Sequence, residues 1–215
     1  LALEAGQAHR RSHLAALLWP DHPDAAARNN LRQTLFNLRK TLHDDHSPTP
    51  FLLISHQTVQ FNRATDYTLD VDMLVAELQA LESGANQDSS ARWLSHYKAP
   101  LLAEAALVTG VAFDEWLLLR REQLHRRVMM ALARLSDLAL TQQQWDKVAL
   151  LTMQQLALDP WREEAYRQLM HALAAQGQRA EALAQFEQCQ MVLWEALGVE
   201  PMPETVVLME QIKAG

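Results

Sequence analysis

Residues 24–42 read DAAARNNLRQTLFNLRKTL, from Asp24 to Leu42. Ala27, Leu31, Leu35, Leu38 and Leu42 recur at steps of four, four, three and four, the period of one buried helical face. At about 100° per residue, Arg28, Arg32 and Arg39 fall together on one flank. Asn29, Gln33 and Lys40 occupy the far side, and Asn30 and Asn37 the other flank. A surface of Arg, Asn, Gln and Lys with no acid after Asp24 suits the electronegative grooves of DNA. Arg pairs with guanine, Asn or Gln with adenine, and Lys or Arg neutralises phosphates. Taken alone, the same stretch also reads as an amphipathic helix with a solvated outside.

The neighbours decide between the two. After Gly6 comes the basic stretch His9-Arg10-Arg11, with Ser12 in an N-cap position. Leu14, Leu17, Leu18 and Trp19 then supply the apolar face of a short helix that must end at Pro20. Asp21-His22-Pro23-Asp24 is a turn, with Asp24 placed to cap the long helix. Short helix, turn, long helix with a polar outside is the helix-turn-helix order, whose last helix enters the major groove. His43–Pro50 is polar and proline-bearing, hence a loop. Two β-patterned runs follow, Phe51–Ile54 and Val59–Phe61, around Ser55-His56-Gln57-Thr58. A hairpin after a recognition helix is the wing of a winged helix, and its tip, His56 and Gln57, is placed to reach a minor groove or a phosphate. A hairpin that merely covers the core accounts for the same pattern.

The chain has 215 residues, with 49% apolar residues, 7% aromatics and only six glycines, which fits a helical protein with two modest cores. The net charge of −7 by itself argues against a nucleic-acid binder, but the charge is unevenly spread. Residues 1–66 carry seven Lys/Arg against six Asp/Glu, whereas residues 67–215 carry twelve against twenty. The single cysteine, Cys189, excludes an internal disulfide and a Cys-based zinc site, and reads as a small core residue. No apolar run approaches a membrane span and no signal-peptide pattern opens the sequence, so the expectation is a cytoplasmic location away from membranes. Leu1–Gly6 reads as the end of a helix stopped at Gly6, so the natural beginning is expected upstream.

From Leu69 the pattern is helical. Asp70 or Asp72 is placed to cap a helix through Leu74, Leu78 and Leu81 to the Ser83-Gly84 stop. Asn86–Ser90 leads to a helix with Trp93, Leu94 and Tyr97, broken by Pro100, and Phe113–Leu140 is a long helix. Gln144–Ala149 then matches Gln178–Leu183 at an offset of 34 residues, the tetratricopeptide period. Between them Asp159-Pro160 reads as the start of a helix, Asp159 capping and Pro160 first, with Gly177 and Gly198 as helix stops. Trp145, Trp161 and Trp194, with Tyr166 and Phe186, are expected to be mostly core residues of this repeat.

The series Leu14-Ala15-Ala16-Leu17-Leu18-Trp19-Pro20-Asp21, Ala27–Leu35 and Leu38-Arg39-Lys40-Thr41-Leu42 resembles the winged-helix part of antibiotic-regulatory-type bacterial activators. Asp70-Val71-Asp72, Phe113–Trp116, Asp159-Pro160, Glu163 or Glu164, Gly177 through Leu183, and Leu197–Pro201 resemble their bacterial transcriptional activator domain. The resemblance spans essentially the whole chain. It implies a mostly α protein: an OmpR-type winged helix over 1–66 with a small β-hairpin wing, then an all-α, tetratricopeptide-like activator domain over 67–215. It also implies binding to direct-repeat promoter elements in double-stranded DNA and recruitment of RNA polymerase, with a possible homodimer. The family pattern opens with a small sheet and most of a first helix that are missing here, and larger members carry a further domain after the activator domain.

The expected DNA-facing residues are therefore Arg28, Asn29, Arg32, Gln33, Phe36, Arg39 and Lys40 on the long helix. Arg10 and Arg11 before the short helix and His56 and Gln57 on the wing join them. Phe36 projects roughly 140° from the leucine face, where packing on the wing is preferred to contact with a thymine methyl group. His9 and His13, and His43 and His46, have spacings seen in metal ligands but no third partner fixed by motif, so capping or solvation is the reading and no metal or cofactor is expected. Glu163 and Glu164 sit where a helix start favours carboxylates. With no nucleophile motif and no phosphate-cradling glycine loop, an enzyme is not expected. A regulator that reads DNA is the first hypothesis. A helical-repeat adaptor or effector-sensing module without DNA binding is the second.

Overall fold

The structure is a computed structural model that describes residues 1–44, 47–83, 97, 99–103 and 110–215. Its described elements are mostly α with one small sheet. They fall into two compact units, Leu1–His125 and Arg126–Gly215. The polar segment 86–90, the helix expected around Trp93 and Leu94, Gly84 and His46 lie outside the described residues.

In the first unit a 3-10 turn (Ala2–Glu4) leads into β1 (Ala8–Arg10), α1 (Arg11–Leu18) and α2 (Asp24–Thr41). The hairpin β2 (Leu52–Ile54) and β3 (Thr58–Phe61) follows, then α3 (Asp70–Glu82) and the start of α4 (Val111–Thr141). The sheet is antiparallel in the order β1-β3-β2, with His9 opposite Val59 and Ile54 opposite Val59 on the other side. The strand β1 is an addition to the expected hairpin. Gly6, at φ +85°, turns the chain into it, and the Gly6 N–H donates to the Phe61 carbonyl at 3.0 Å.

The core of the winged part is Ala15 of α1, Ala27, Leu31 and Leu35 of α2, Leu52 of β2 and Val59 of β3, with Leu14, Trp19, Phe51 and Phe61 around it. Sequence and packing thus agree on the inward stripe of α2 as far as Leu35. Beyond it Leu38 is 37% exposed and Leu42 only half-buried, because strands of three and four residues leave the last turn of α2 uncovered. The loop before β2 is held by Asp44, whose buried carboxylate accepts N–H bonds from Phe51 and from Leu52, the latter at 3.1 Å. Arg39 Nε lies 3.9 Å from the same carboxylate. The start of α4 is tied to the winged part within this unit by Arg120, which pairs with Glu4 at 2.5 Å and lies over the Trp116 ring.

Several helix starts differ from the expected caps. The helix α1 begins at Arg11, so Ser12 lies inside it, because the extended Arg10 that ends β1 also serves as N-cap. Pro23 is the N-cap of α2, and Asp24 is its first residue, its carboxylate 3.4 Å from Arg28. Leu69 precedes α3, and Asp70 spends its carboxylate on the adjacent Val71 N–H at 2.8 Å. Asp159 closes α5 rather than opening α6. Pro160 forces the residue before it out of the α region, and a turn through Arg162 intervenes.

The second unit holds the remainder of α4 with α5 (Trp145–Leu158), α6 (Glu163–Ala175), α7 (Arg179–Leu197) and α8 (Pro203–Ala214). Each helix packs on the next in sequence from α5 to α8, the arrangement of stacked pairs in which no helix can bury its apolar face alone. Val128, Leu132, Leu151, Ala165, Met170, Ala182 and Cys189 are buried in it. Burial pushes the Cys189 thiol up to about 12, helped by the nearby Glu163 charge and opposed by Arg167, as suits the inert core residue expected there. Side-chain bonds cross the helices: Gln155 donates to Ser136 Oγ at 2.9 Å and Gln168 to Asp137 at 2.7 Å. Glu163 reaches further than the helix-start reading assigned it, accepting from the Met202 N–H at 2.6 Å and the Thr205 hydroxyl at 2.5 Å at the start of α8.

The 34-residue offset is exact in the backbone. After α6, Gly177 (φ +79°) sends its N–H to Ala174 O, and Gln178 sends its own to Leu173 O. After α4, Gln143 (φ +55°) and Gln144 make the same pair of bonds to Leu140 O and Ala139 O. Both are Schellman motifs, but only one has glycine at the left-handed position. A non-glycine residue there costs roughly 1–2 kcal/mol, partly offset by the extra freedom of glycine in the unfolded chain. Gln143→Gly is therefore expected to raise stability by about 0.5–1 kcal/mol and Gly177→Gln to lower it by a similar amount, as read by urea denaturation.

Candidate nucleic-acid interface

The N-terminal half of α2, the end of β1 with the start of α1, and the hairpin tip converge on one cleft of about 980 Å³. Arg10, Arg11, Arg28, Asn29, Arg32, His56 and Gln57 line it, with Ser12 and Thr58 between them. Four guanidiniums around one concave surface, with no acid among its lining residues, give it a positive potential. Its amide and imidazole groups add hydrogen-bond donors and acceptors of the kind that read base edges.

Local bonding explains how the cleft keeps its shape. Ser55 Oγ accepts from the Gln57 and Thr58 N–H groups at 3.2 and 2.9 Å, and Ser55 N–H donates to Thr58 O at 2.9 Å, closing a tight hairpin end. This leaves the His56 and Gln57 side chains exposed. The tip is tied to α1: Arg11 N–H donates to Gln57 O at 2.8 Å and Arg11 Nη1 to Ser55 O at 3.2 Å. Arg11 is thus both a lining cation and a strut for the wing. On α2, Arg32 donates to Asn29 Oδ1 at 3.0 Å and Gln33 to Asn37 Oδ1 at 3.2 Å, so polar side chains one turn apart hold each other on the solvent face.

Seven of the eleven expected residues therefore meet in the cleft, and four do not line it. Gln33 and Lys40 are exposed further along α2. Arg39 faces the buried Asp44. Phe36 does not pack on the wing: it is 60% exposed, since the apolar stripe of α2 that meets the sheet lies on another side of the helix. Of the histidines, His9 is half-buried beside Glu4, Nε2 to carboxylate 3.4 Å, and His13 is exposed. Of the expected core aromatics in the repeat, Tyr166 is buried, Trp145 and Phe186 are half-buried, and Trp161 and Trp194 are exposed. Trp161 sits in the α5–α6 turn and Trp194 on the outer side of α7, so neither reaches the core. Among the described residues no helix is long and apolar enough to cross a membrane.

A winged helix-turn-helix with a basic cleft, in one chain with stacked helix pairs, is the architecture of a bacterial transcriptional regulator. Residues 69–213 match the bacterial transcriptional activator domain family, and the chain belongs to it. A solved structure of Mycobacterium tuberculosis EmbR in complex with a low-affinity phosphopeptide shares the fold, with a TM-score of 0.69 at 21% identity. The similarity covers 100% of this chain and 57% of the EmbR chain, so this chain spans somewhat more than half of that protein's length. No curated protein matches.

Proposed function

We propose that this regulator binds double-stranded DNA by laying the N-terminal half of α2 in a major groove while the His56-Gln57 tip and Arg10 and Arg11 hold the flanking backbone. The observation that carries the reading is the convergence of Arg10, Arg11, Arg28 and Arg32 with Asn29, His56 and Gln57 in one cleft. A helix start carrying Arg and Asn beside a wing is the geometry by which such domains combine phosphate positioning with base contacts. The helical domain over 67–215 then serves activation, through RNA polymerase or a second copy of the chain, in keeping with the family matched over 69–213.

The test is a salt titration on duplex DNA. Arg10 and Arg11 on phosphates predict a slope of log affinity against log salt of about −1.8, steepening to about −3.6 if Arg28 and Arg32 neutralise phosphates as well. A slope near zero, or no binding to any promoter fragment at low salt, would sink the proposal and leave the adaptor reading. In that case Arg32→Ala with Arg39→Ala would leave partner binding and cellular activity intact.

A further inference from the structure

The helix α7 is apolar on two sides. Ala182, Cys189 and Leu193 point into the second unit and are buried. Met191 and Trp194 stand on another side, 47% and 62% exposed, and Leu197 and Val199 continue that exposed apolar surface. A helix with apolar residues beyond its core-facing stripe is buried on both sides or meets a partner, and exposed Trp is the residue most enriched among binding hot spots.

The outer residues form a cleft. Glu187, Gln190, Met191 and Trp194, at the i, i+3, i+4, i+7 positions of α7, line it with Val199 and Glu200 from the turn after the helix, enclosing about 410 Å³. Its apolar lining is aromatic, thioether and aliphatic, and two carboxylates, Glu187 and Glu200, share the lining with it. Neither Glu187 nor Glu200 takes part in an ion pair among the described residues. The helices that carry and follow the cleft are acidic in sequence: from Ala180 to Gln211 there are six glutamates and no Lys or Arg.

We propose that this face docks a basic peptide segment of another protein, with one large apolar side chain on Trp194 and Met191 and Lys or Arg residues against Glu187 and Glu200. The apolar floor supplies affinity by excluding water from the anchor. The acidic surround selects a cationic chain and speeds its encounter. An apolar lining with two carboxylates in it calls for a ligand that carries a large apolar side chain and separate positive charges together, which a peptide supplies and a single small cation does not. The proposal does not depend on DNA binding by the first unit.

The test uses the whole chain to select binders from a displayed library of random peptides, followed by synthesis of the winners and fluorescence anisotropy. Winners enriched in Lys or Arg around one Leu, Phe or Trp are expected. Their binding should weaken about tenfold or more on Trp194→Ala, and by a smaller, salt-sensitive factor on Glu187→Gln with Glu200→Gln. Binding should be unchanged by Arg28→Ala with Arg32→Ala, which separates this site from the DNA cleft. All the substituted side chains are exposed, so circular dichroism and melting curves should match those of the parent chain. Winners without basic residues, or peptides that bind the Trp194→Ala chain equally well, would overturn the proposal. So would a dimer in sedimentation velocity that is lost on Trp194→Ala, since it would give the face to a second copy.

Discussion

Replacing Arg28 and Arg32 together by Ala is expected to lower affinity for a promoter duplex roughly a hundredfold at physiological salt, with the fold unchanged. Each side chain is exposed and lines the cleft, and each loss of a phosphate or base contact removes about 1–3 kcal/mol. The structural cost is small. The Arg28–Asp24 pair is exposed at 3.4 Å and contributes a few tenths of a kcal/mol at most, and the Arg32–Asn29 bond is likewise at the surface. The salt slope identifies what each residue touches. Two lost phosphate contacts reduce its magnitude by about 1.8, whereas a lost guanine contact leaves the slope nearly as it was and relaxes sequence preference. Electrophoretic mobility shifts across a salt series, with a scrambled duplex as reference, read both quantities. Unchanged affinity for every duplex would remove α2 from the interface.

Asp44→Ala is expected to cost about 3–5 kcal/mol of stability in the first unit, the largest effect of any single polar side chain there. The carboxylate is buried, accepts two backbone N–H bonds that start β2, and lies beside Arg39. Removing it strands two backbone donors, that of Leu52 buried and that of Phe51 half-buried, and leaves the guanidinium of Arg39 without that carboxylate. Asp44→Asn keeps oxygen for one N–H and turns the other position into a clashing donor, so roughly half the loss is expected. Urea denaturation measures it, followed by nuclear magnetic resonance of the Trp19 indole N–H, since Trp19 packs on the same core. A change below about 1 kcal/mol would show that the hairpin is held by its apolar contacts alone.

Asp44 also marks the boundary of what could be read from the residues in advance. The stripe Ala27, Leu31, Leu35 and the alternation in Leu52–Ile54 and Val59–Phe61 were legible because each is a periodic local signal. The first strand was not. Ala8-His9-Arg10 is three residues long, carries no apolar alternation, and becomes a strand only by pairing with Thr58–Gln60, some fifty residues away. The caps were read a residue or more away because Asp24, Asp70 and Asp159 each had a competing use: an ion pair, a bond to the next N–H, the end of the preceding helix.

For the cleft, face arithmetic on α2 puts Arg28, Arg32 and Arg39 on one flank and Asn29, Gln33 and Lys40 on the far side, and only Arg28, Asn29 and Arg32 of these line it. It could not place Arg11 and the wing tip beside them, since that depends on backbone bonds across the domain. Trp161 and Trp194 are expected in the core because a large aromatic suggests one, and Phe36, already placed off the leucine face, is expected to pack on the wing; all three are exposed.

The most direct test of the proposal that α2 reads DNA is a titration of the isotope-labelled chain with duplex DNA, followed by nuclear magnetic resonance. The account predicts that the largest shifts fall on Arg28, Asn29, Arg32, His56 and Gln57 and shrink as salt rises. Shifts confined to α5–α8, or none at the cleft at low salt, would contradict it.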